Sequence, residues 1–440
     1  MTLDEQHNIG CVTCHEGTDQ TSDQALAHKG LIALPAHPEN VARNCAPCHQ
    51  EITTHIQSSL HYTLKNSVNL FREAFGATNS LESFIDTPVV TTPETDIELA
   101  DDLLRRRCFR CHIYNGGDDY PAVSRGTGCS ACHLPFSNGS LSSHLFQKPA
   151  DLQCLSCHYG NYVGFDYYGR FEHDFNAEYR TPYTTKNEHF RPYGVEYHEL
   201  IPDIHKQRKM SCIDCHSGSE LMLKNGPKPS CQSCHLPDAL NKHLPDNVSK
   251  VGDGFVLSSK DGNNHPLPVM IHPAHNKQKI SCQACHAQWT FNDYNKHLMR
   301  SDTDNYDLFE NLSTQGSSDI EIIVENNIDF DKNELPLVMI DNLTGVSRQG
   351  IWYKGFTIRR WEKVVLGRDE AGTITPVRPL LDYSLSWIDE DDSIRFDSIS
   401  SEPLNGVMVP YVPHTTGSAG IFYNQRIQEF LEIELKPKGN

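Results

Sequence analysis

The 440-residue chain has no apolar run of about 18 residues, the minimum for a membrane-crossing helix, so no transmembrane segment is expected. Its opening, MTLDEQHNIG, has no apolar core of the kind a secretory signal needs, so an exported form would carry its signal peptide outside this numbering. A basic excess is also missing. The 38 Lys+Arg stand against 57 Asp+Glu, a net charge of −19, which argues against a nucleic-acid partner. Hydrophobic residues make up only 38% of the chain, and long stretches are rich in Asn, Asp, Ser, Gly and Pro. Side chains alone would build a thin core, so other apolar material is expected to fill the interior. Finally, no cysteine stands alone: all 16 fall in pairs.

Every pair is followed directly by histidine. The motifs are Cys11-x-x-Cys14-His15, Cys45-x-x-Cys48-His49, Cys108-x-x-Cys111-His112 and Cys129-x-x-Cys132-His133. They continue with Cys154-x-x-Cys157-His158, Cys212-x-x-Cys215-His216, Cys231-x-x-Cys234-His235 and Cys282-x-x-Cys285-His286. C-x-x-C-H is the attachment signature of c-type haem: two thiols bond the porphyrin vinyl groups and the histidine ligates iron. Zinc ribbons are a competing explanation, since the Cys111–Cys129 and Cys215–Cys231 intervals suit them; disulfides or a thioredoxin-like dithiol are others. None requires histidine after every pair. With 24 histidines in the chain, independent placement would give eight such coincidences with a probability of roughly 10⁻¹⁰, which decides for haem. Eight macrocycles would supply the missing apolar filling.

Sixteen further histidines remain for the opposite face of each iron. Their spacing picks out His28, His37, His61, His144, His205, His243, His275 and His297 as distal-ligand candidates. His205 and His275 each stand seven residues before a motif, in HKQRKMSCIDCH and HNKQKISCQACH, which read as an internal repeat. His7, His55, His173, His189, His198, His265 and His272 are reserves, and His414, alone in PYVPHTTG near the C-terminus, is a further candidate ligand for another haem in this chain or in a neighbour. A histidine beside one motif need not serve that motif's iron. The Cys108 motif has no nearby extra histidine, so its iron needs a distant one, His61 being a candidate, or an unusual ligand or open site. Lys206 and Lys209 are other candidate ligands. Arg105, Arg106, Arg107 and Arg110 beside it are expected to pair with haem propionates.

The aromatic stretch from Tyr159 to Tyr183 is expected to pack on porphyrin faces. After residue 300 cysteines end, and alternating runs around Tyr383, Leu385 and Trp387, around Ile394 and Phe396, and in FLEIELK around Leu431, Ile433 and Leu435 read as strands. Residues 1–300 are thus an expected octahaem domain and 301–440 a haem-free, β-rich domain. Acidic Asp389, Glu390, Asp391 and Asp392 could take Ca²⁺, although a solvated turn accounts for them as well.

The eight motifs resemble those of multihaem c-type cytochromes. The nearest comparisons are octahaem enzymes similar to tetrathionate reductase and hydroxylamine oxidoreductase, and extracellular cytochromes that polymerise into conductive filaments. The resemblance implies a loop-rich, mainly short-helical fold with a haem-filled core, eight covalent haem c groups, and export to the periplasm or cell exterior. It implies partners among redox proteins or extracellular electron acceptors, with self-association into a filament as one form. All eight motifs end in histidine and no cysteine is spare, features that favour electron transfer over catalysis on a small nitrogen or sulfur compound.

Overall fold

The structure is a computed structural model and describes residues 5–120, 123–137, 140–159, 163–172, 197–223, 228–270, 279–303, 318–329, 332–401, 404, 406–419 and 422–435. It mixes short helices with small sheets, and its C-terminal part is rich in strands.

Four C-x-x-C-H motifs each form a short helical turn, Cys11–His15, Cys129–His133, Cys231–His235 and Cys282–His286, and the Cys154 motif closes the helix Asp151–His158. A turn of helix puts residues three and four apart on one face, so both thiols and the histidine share a side. Small polar residues start these turns: Ser230 accepts from the Ser233 amide and Ser281 from the Ala284 amide. At Gly128 the backbone is left-handed (φ 56°), and a Cβ there would stand 1.8 Å from the Ala36 carbonyl oxygen. Only glycine fits this entry to the Cys129 turn.

The principal side-chain core lies elsewhere. Helices α1 (Lys65–Ala74) and α2 (Asp96–Arg106) pack on a four-stranded sheet of β1 (Thr290–Ser301), β2 (Ile351–Glu362), β3 (Tyr383–Ile388) and β4 (Ile394–Ser400), in the order β2-β1-β3-β4. β1 and β3 run parallel; the other pairs are antiparallel. Val68, Phe71, Leu99 and Leu103 from the helices join Leu298, Trp352, Tyr353 and Leu385 from the sheet in one buried cluster. The expected division at residue 300 therefore does not mark a break in packing. The sheet begins before it, and the apolar face of α2 buries itself on strands from beyond it.

The arginines of α2 lock this junction. Arg105 makes a two-pronged bond to Asp341 at 2.7 and 3.0 Å, and Arg106 bonds Asp102 at 2.9 Å and the Gln349 and Gly350 carbonyls. Trp352 Nε1 donates to the same Asp102 at 2.9 Å. Arg110 pairs with Asp118 at 2.9 Å. The expectation that these arginines serve haem propionates is corrected for Arg105, Arg106 and Arg110: carboxylates of the chain itself hold them. Arg107 is buried beside them.

Tyr159, Phe165 and Phe171 pack with Trp289 and Phe291 in a second cluster, while Tyr162, Phe175, Tyr179 and Tyr183 lie outside the described residues. Asp389 caps the β3–β4 turn, accepting from the Asp391 and Ser393 amides and pairing with Arg395. That is the solvated turn rather than a cation cage, and no group of metal-holding residues of this kind occurs among the described residues.

Candidate metal centres

The motif histidines are oriented as metal ligands. His15 donates its Nδ1–H to Ile32 O at 2.8 Å, His133 to Gln147 O at 2.9 Å, His235 to Pro268 O at 2.8 Å and His286 to Gly417 O at 2.9 Å. His216 donates to the Glu220 carboxylate at 2.9 Å. Each acceptor fixes the hydrogen on Nδ1, leaves Nε2 with its lone pair and makes the ring a better donor to a metal. Burial lowers the affinity of His235 and His414 for a proton, keeping them in the neutral form that binds metal.

Five motif histidines face a second histidine. Ring centres are 6.1 Å apart for His49 and His7, 6.4 Å for His15 and His144, and 6.1 Å for His158 and His61. They are 6.2 Å apart for His235 and His205, and 6.4 Å for His216 and His414. Two imidazoles on opposite sides of one metal, each with a bond of about 2 Å and a ring centre about 1.1 Å further, would stand about 6.2 Å apart. The residues present therefore fit a bis-histidine iron at five motifs.

The pairing crosses the sequence. His144 follows the Cys129 motif but faces that of Cys11. His61 follows the Cys45 motif and faces that of Cys154, and His205 precedes the Cys212 motif and faces that of Cys231. Of the eight expected distal ligands, His61, His144 and His205 face motif histidines. His28 and His243 are exposed. His37 caps the helix Pro38–Asn44 and meets Tyr114 edge-on at 5.2 Å. His297 lies in β1 with Nε2 2.9 Å from the Ser386 hydroxyl. His275 lies outside the described residues, as do His173, His189 and His272.

Two partners come from histidines that spacing did not favour. His7 precedes the first motif, and His414 arrives from beyond the strands. The segment carrying His414 is built into the motif region. Thr415 Oγ1 donates to Trp289 O at 2.6 Å, the Thr416 amide to Asp203 Oδ2 at 2.7 Å, and Gly417 O receives His286. Asp203 also holds Nδ1 of His205 at 2.8 Å, so one carboxylate positions a ligand and the strap beside it.

The Cys108 motif is different. His112 is buried, its Nε2 meets no hydrogen-bond partner, and its Nδ1 faces the Tyr114 amide at 3.3 Å instead of a carbonyl. Phe84 lies 3.7 Å from its ring and Tyr114 5.4 Å. Burial drives its pKa down to about 3. Among the described residues no histidine ring stands within 6.4 Å of His112, His133 or His286 in the manner of the five pairs.

The thiols give the order of the sites. Cys45 and Cys129, Cys154 and Cys212, Cys231 and Cys282, and Cys111 and Cys157 stand close enough for each thiol to perturb its partner's ionisation, one raised and the other lowered. Cys14 lies near enough to Cys45, Cys132 to Cys154, and Cys215 to Cys234 for charge on one to disfavour charge on the other. The first cysteines of the successive motifs therefore run Cys11, Cys45, Cys129, Cys154, Cys212, Cys231, Cys282. The Cys108 motif joins from the side, at Cys154–Cys157. Were these thiols bonded to porphyrins, each sulfur would stand two bonds from a macrocycle edge, and neighbouring sulfurs would bring two such edges together.

The surroundings suit a large apolar group. Cys132 and Cys215 are accessible to solvent, yet burial pushes each thiol up to about 12. Around the first two motifs Ile9, Val12, Leu26, Leu31, Leu34, Ile52 and Leu60 present apolar side chains to the surface, where a porphyrin would cover them. No protein-family model, curated protein or solved structure matches the chain.

Proposed function

We propose that this protein is an exported multihaem c-type cytochrome that moves electrons along a chain of eight covalently bound haems. The observation that carries the reading is the set of five crossed histidine pairs at 6.1–6.4 Å. Each joins a C-x-x-C-H histidine to one from a distant part of the chain, which haem attachment explains and a dithiol or zinc ribbon does not. Bound haem iron supplies the one-electron couple. The chain's part is to hold two imidazoles on each of five irons so that coordination hardly changes with oxidation state, and to bring neighbouring motifs edge to edge. Cys11–Cys14–His15 and Cys282–Cys285–His286 form the two ends of the row, where redox proteins or extracellular acceptors would exchange electrons. A head-to-tail repeat joining those ends would give an open filament.

Mass spectrometry and a haem assay on protein made with the export and maturation machinery test the proposal. Eight covalent haems and mostly low-spin ferric signals are expected. Fewer than five low-spin bis-histidine haems would sink it. Among the described residues no helix is long and apolar enough to cross a membrane.

A second reading rests on His112. Its ring faces Phe84 and Tyr114 instead of a histidine, the setting for one iron open to a small nitrogen or sulfur compound. Carbon monoxide binding to one haem in eight of the reduced protein would favour that oxidoreductase reading, and no binding would remove it.

A further inference from the structure

The groups behind the paired histidines are of two kinds. His15, His133, His235 and His286 give their Nδ1–H to neutral backbone carbonyls. His205 and His216 give theirs to carboxylates, Asp203 at 2.8 Å and Glu220 at 2.9 Å. An ionised acceptor draws more strongly on the shared hydrogen and leaves the ring more electron-rich. The two rings belong to neighbouring sites. His216 faces His414 at the Cys212 motif, and His205 faces His235 at the Cys231 motif.

Local structure fixes both contacts. Asp203 is buried and caps the turn Ile204–Gln207, accepting from the His205 amide as well as from its ring. Its other oxygen accepts from the Thr416 amide at 2.7 Å, two residues from His414. Glu220 stands four residues after His216, in the helix Gly218–Met222, where its own amide donates to the Ser217 hydroxyl. Two more carboxylates lie beside them. Asp214, inside the Cys212 motif and buried, accepts from the Ser211 amide and hydroxyl and from the Lys260 amide. Asp151 accepts from the Cys212 amide at 2.9 Å. Asp214, Asp203 and Glu220 are near enough for their charge to act on Cys215, and Asp151 on Cys212. Reducing an iron adds one negative charge, so carboxylates beside it favour the oxidised form, most strongly in a low-dielectric interior. An electron-rich imidazole acts in the same direction.

We propose that Asp203 and Glu220, acting through His205 and His216, make the adjoining Cys212 and Cys231 sites the lowest-potential stretch of the row. Both are positioning residues in this account. The inference rests on the electron-transfer reading above and adds a direction to it: these two sites are the last to be reduced, and an electron placed on them runs downhill toward either end.

Spectroelectrochemical titration of the full haem-loaded protein tests it, alongside Asp203→Asn, Glu220→Gln and the double variant Cys231→Ala/Cys234→Ala. In Asp203→Asn the lowest-potential component should gain about tenfold in its reduced-to-oxidised ratio at fixed ambient potential, 59 mV for one electron. Glu220→Gln should act in the same direction and less, since the Glu220 side chain is 16% exposed against 4% for Asp203. Both should keep eight haems and the wild-type low-spin ferric signals. The double variant should carry seven haems and lack one of the two lowest components. An eight-haem variant of either carboxylate whose lowest component stays in place overturns the proposal. So does a shift that comes with a lost low-spin signal, because a lost ligand is then its cause. Should Asp203→Asn fail to fold, an unmoved Glu220→Gln protein, or a double variant that retains both lowest components, overturns it. Wild-type protein without covalent haem would instead overturn the electron-transfer reading itself, before any titration.

Discussion

Two regions of this molecule are held together by different means. Where α1 and α2 meet the sheet, side chains do the work: Leu99, Leu103, Ile351 and Leu385 are fully buried, and Trp352 is buried with its indole N–H satisfied by Asp102. Around the first motifs the short helices Cys11–His15 and Gln24–Ala27 contain no buried residue at all. A fold normally gives up its conformational entropy against apolar burial. The first region balances that with its own residues; on the proposed function, the second would obtain the burial from bound macrocycles. The contrast is that a chain with few hydrophobic residues concentrates them in one place.

The largest test removes the cofactor. Protein produced without haem attachment should lose protection from hydrogen exchange across residues 5–60, 129–159 and 204–286, while β1 and β2 and helix α2 stay protected. Uniform protection, or uniform loss, would erase the distinction between the regions. The reverse experiment strikes the side-chain core. Trp352→Ala should cost about 4 kcal/mol, as large-to-small changes in packed cores do, and also strand Asp102. Denaturant melts followed at the sheet should show this, with the haem absorption of the folded protein unchanged.

Asp341 offers a smaller, pH-dependent test of the same core. Burial alone would raise its carboxyl, but the Arg105 bond and the Leu343 and Thr344 amides outweigh it and hold it below its ordinary value. A carboxylate lowered on folding stabilises above its unfolded pKa and loses that contribution as pH falls through its folded one. Breaking the buried pair in Asp341→Asn should cost about 3 kcal/mol at neutral pH. The gap from wild type should hold between about pH 5 and 8 and close below about pH 4. A gap independent of pH would mean that the ion pair is not the source.

Local chemistry was legible in the sequence, and long-range partnership was not. C-x-x-C-H states its own geometry, since spacing on a helical turn fixes where two thiols and an imidazole point. The strands around Leu385 and Trp387 were readable from alternation for the same reason, whereas the alternation of Leu431, Ile433 and Leu435 misled, since Phe422–Leu435 forms a helix. Which histidine faces which motif depends on how loops cross, and nothing in the spacing of His61 or His144 records that His158 or His15 lies opposite. The arginines before Cys108 mislead for a related reason. Their proximity to a motif says propionate, while Asp341, the partner of Arg105 at a separation of 236 residues, is invisible to any local reading. Even the division at residue 300 followed composition, which tracks where cysteines end and cannot register that α2 buries its face on β2.

His414 is where the two regions are tied, and it gives the finest test of their independence. The residue belongs to the strand-rich part of the chain yet faces His216 at 6.4 Å, and the three residues after it are fixed to Trp289, Asp203 and His286. In His414→Ala those backbone anchors remain, so the strap should keep its place and the side-chain core its melting behaviour. The change should be confined to one iron. One haem in eight should turn from low-spin to high-spin in the ferric protein, and added imidazole should restore the low-spin signal. If instead the strands melt with the ligand, His414 is a structural pin and the two regions fold as one. A wholly unaltered spin state would mean that another group serves the Cys212 haem, and the tie between the regions would then be made by Thr415, Thr416 and Gly417 alone.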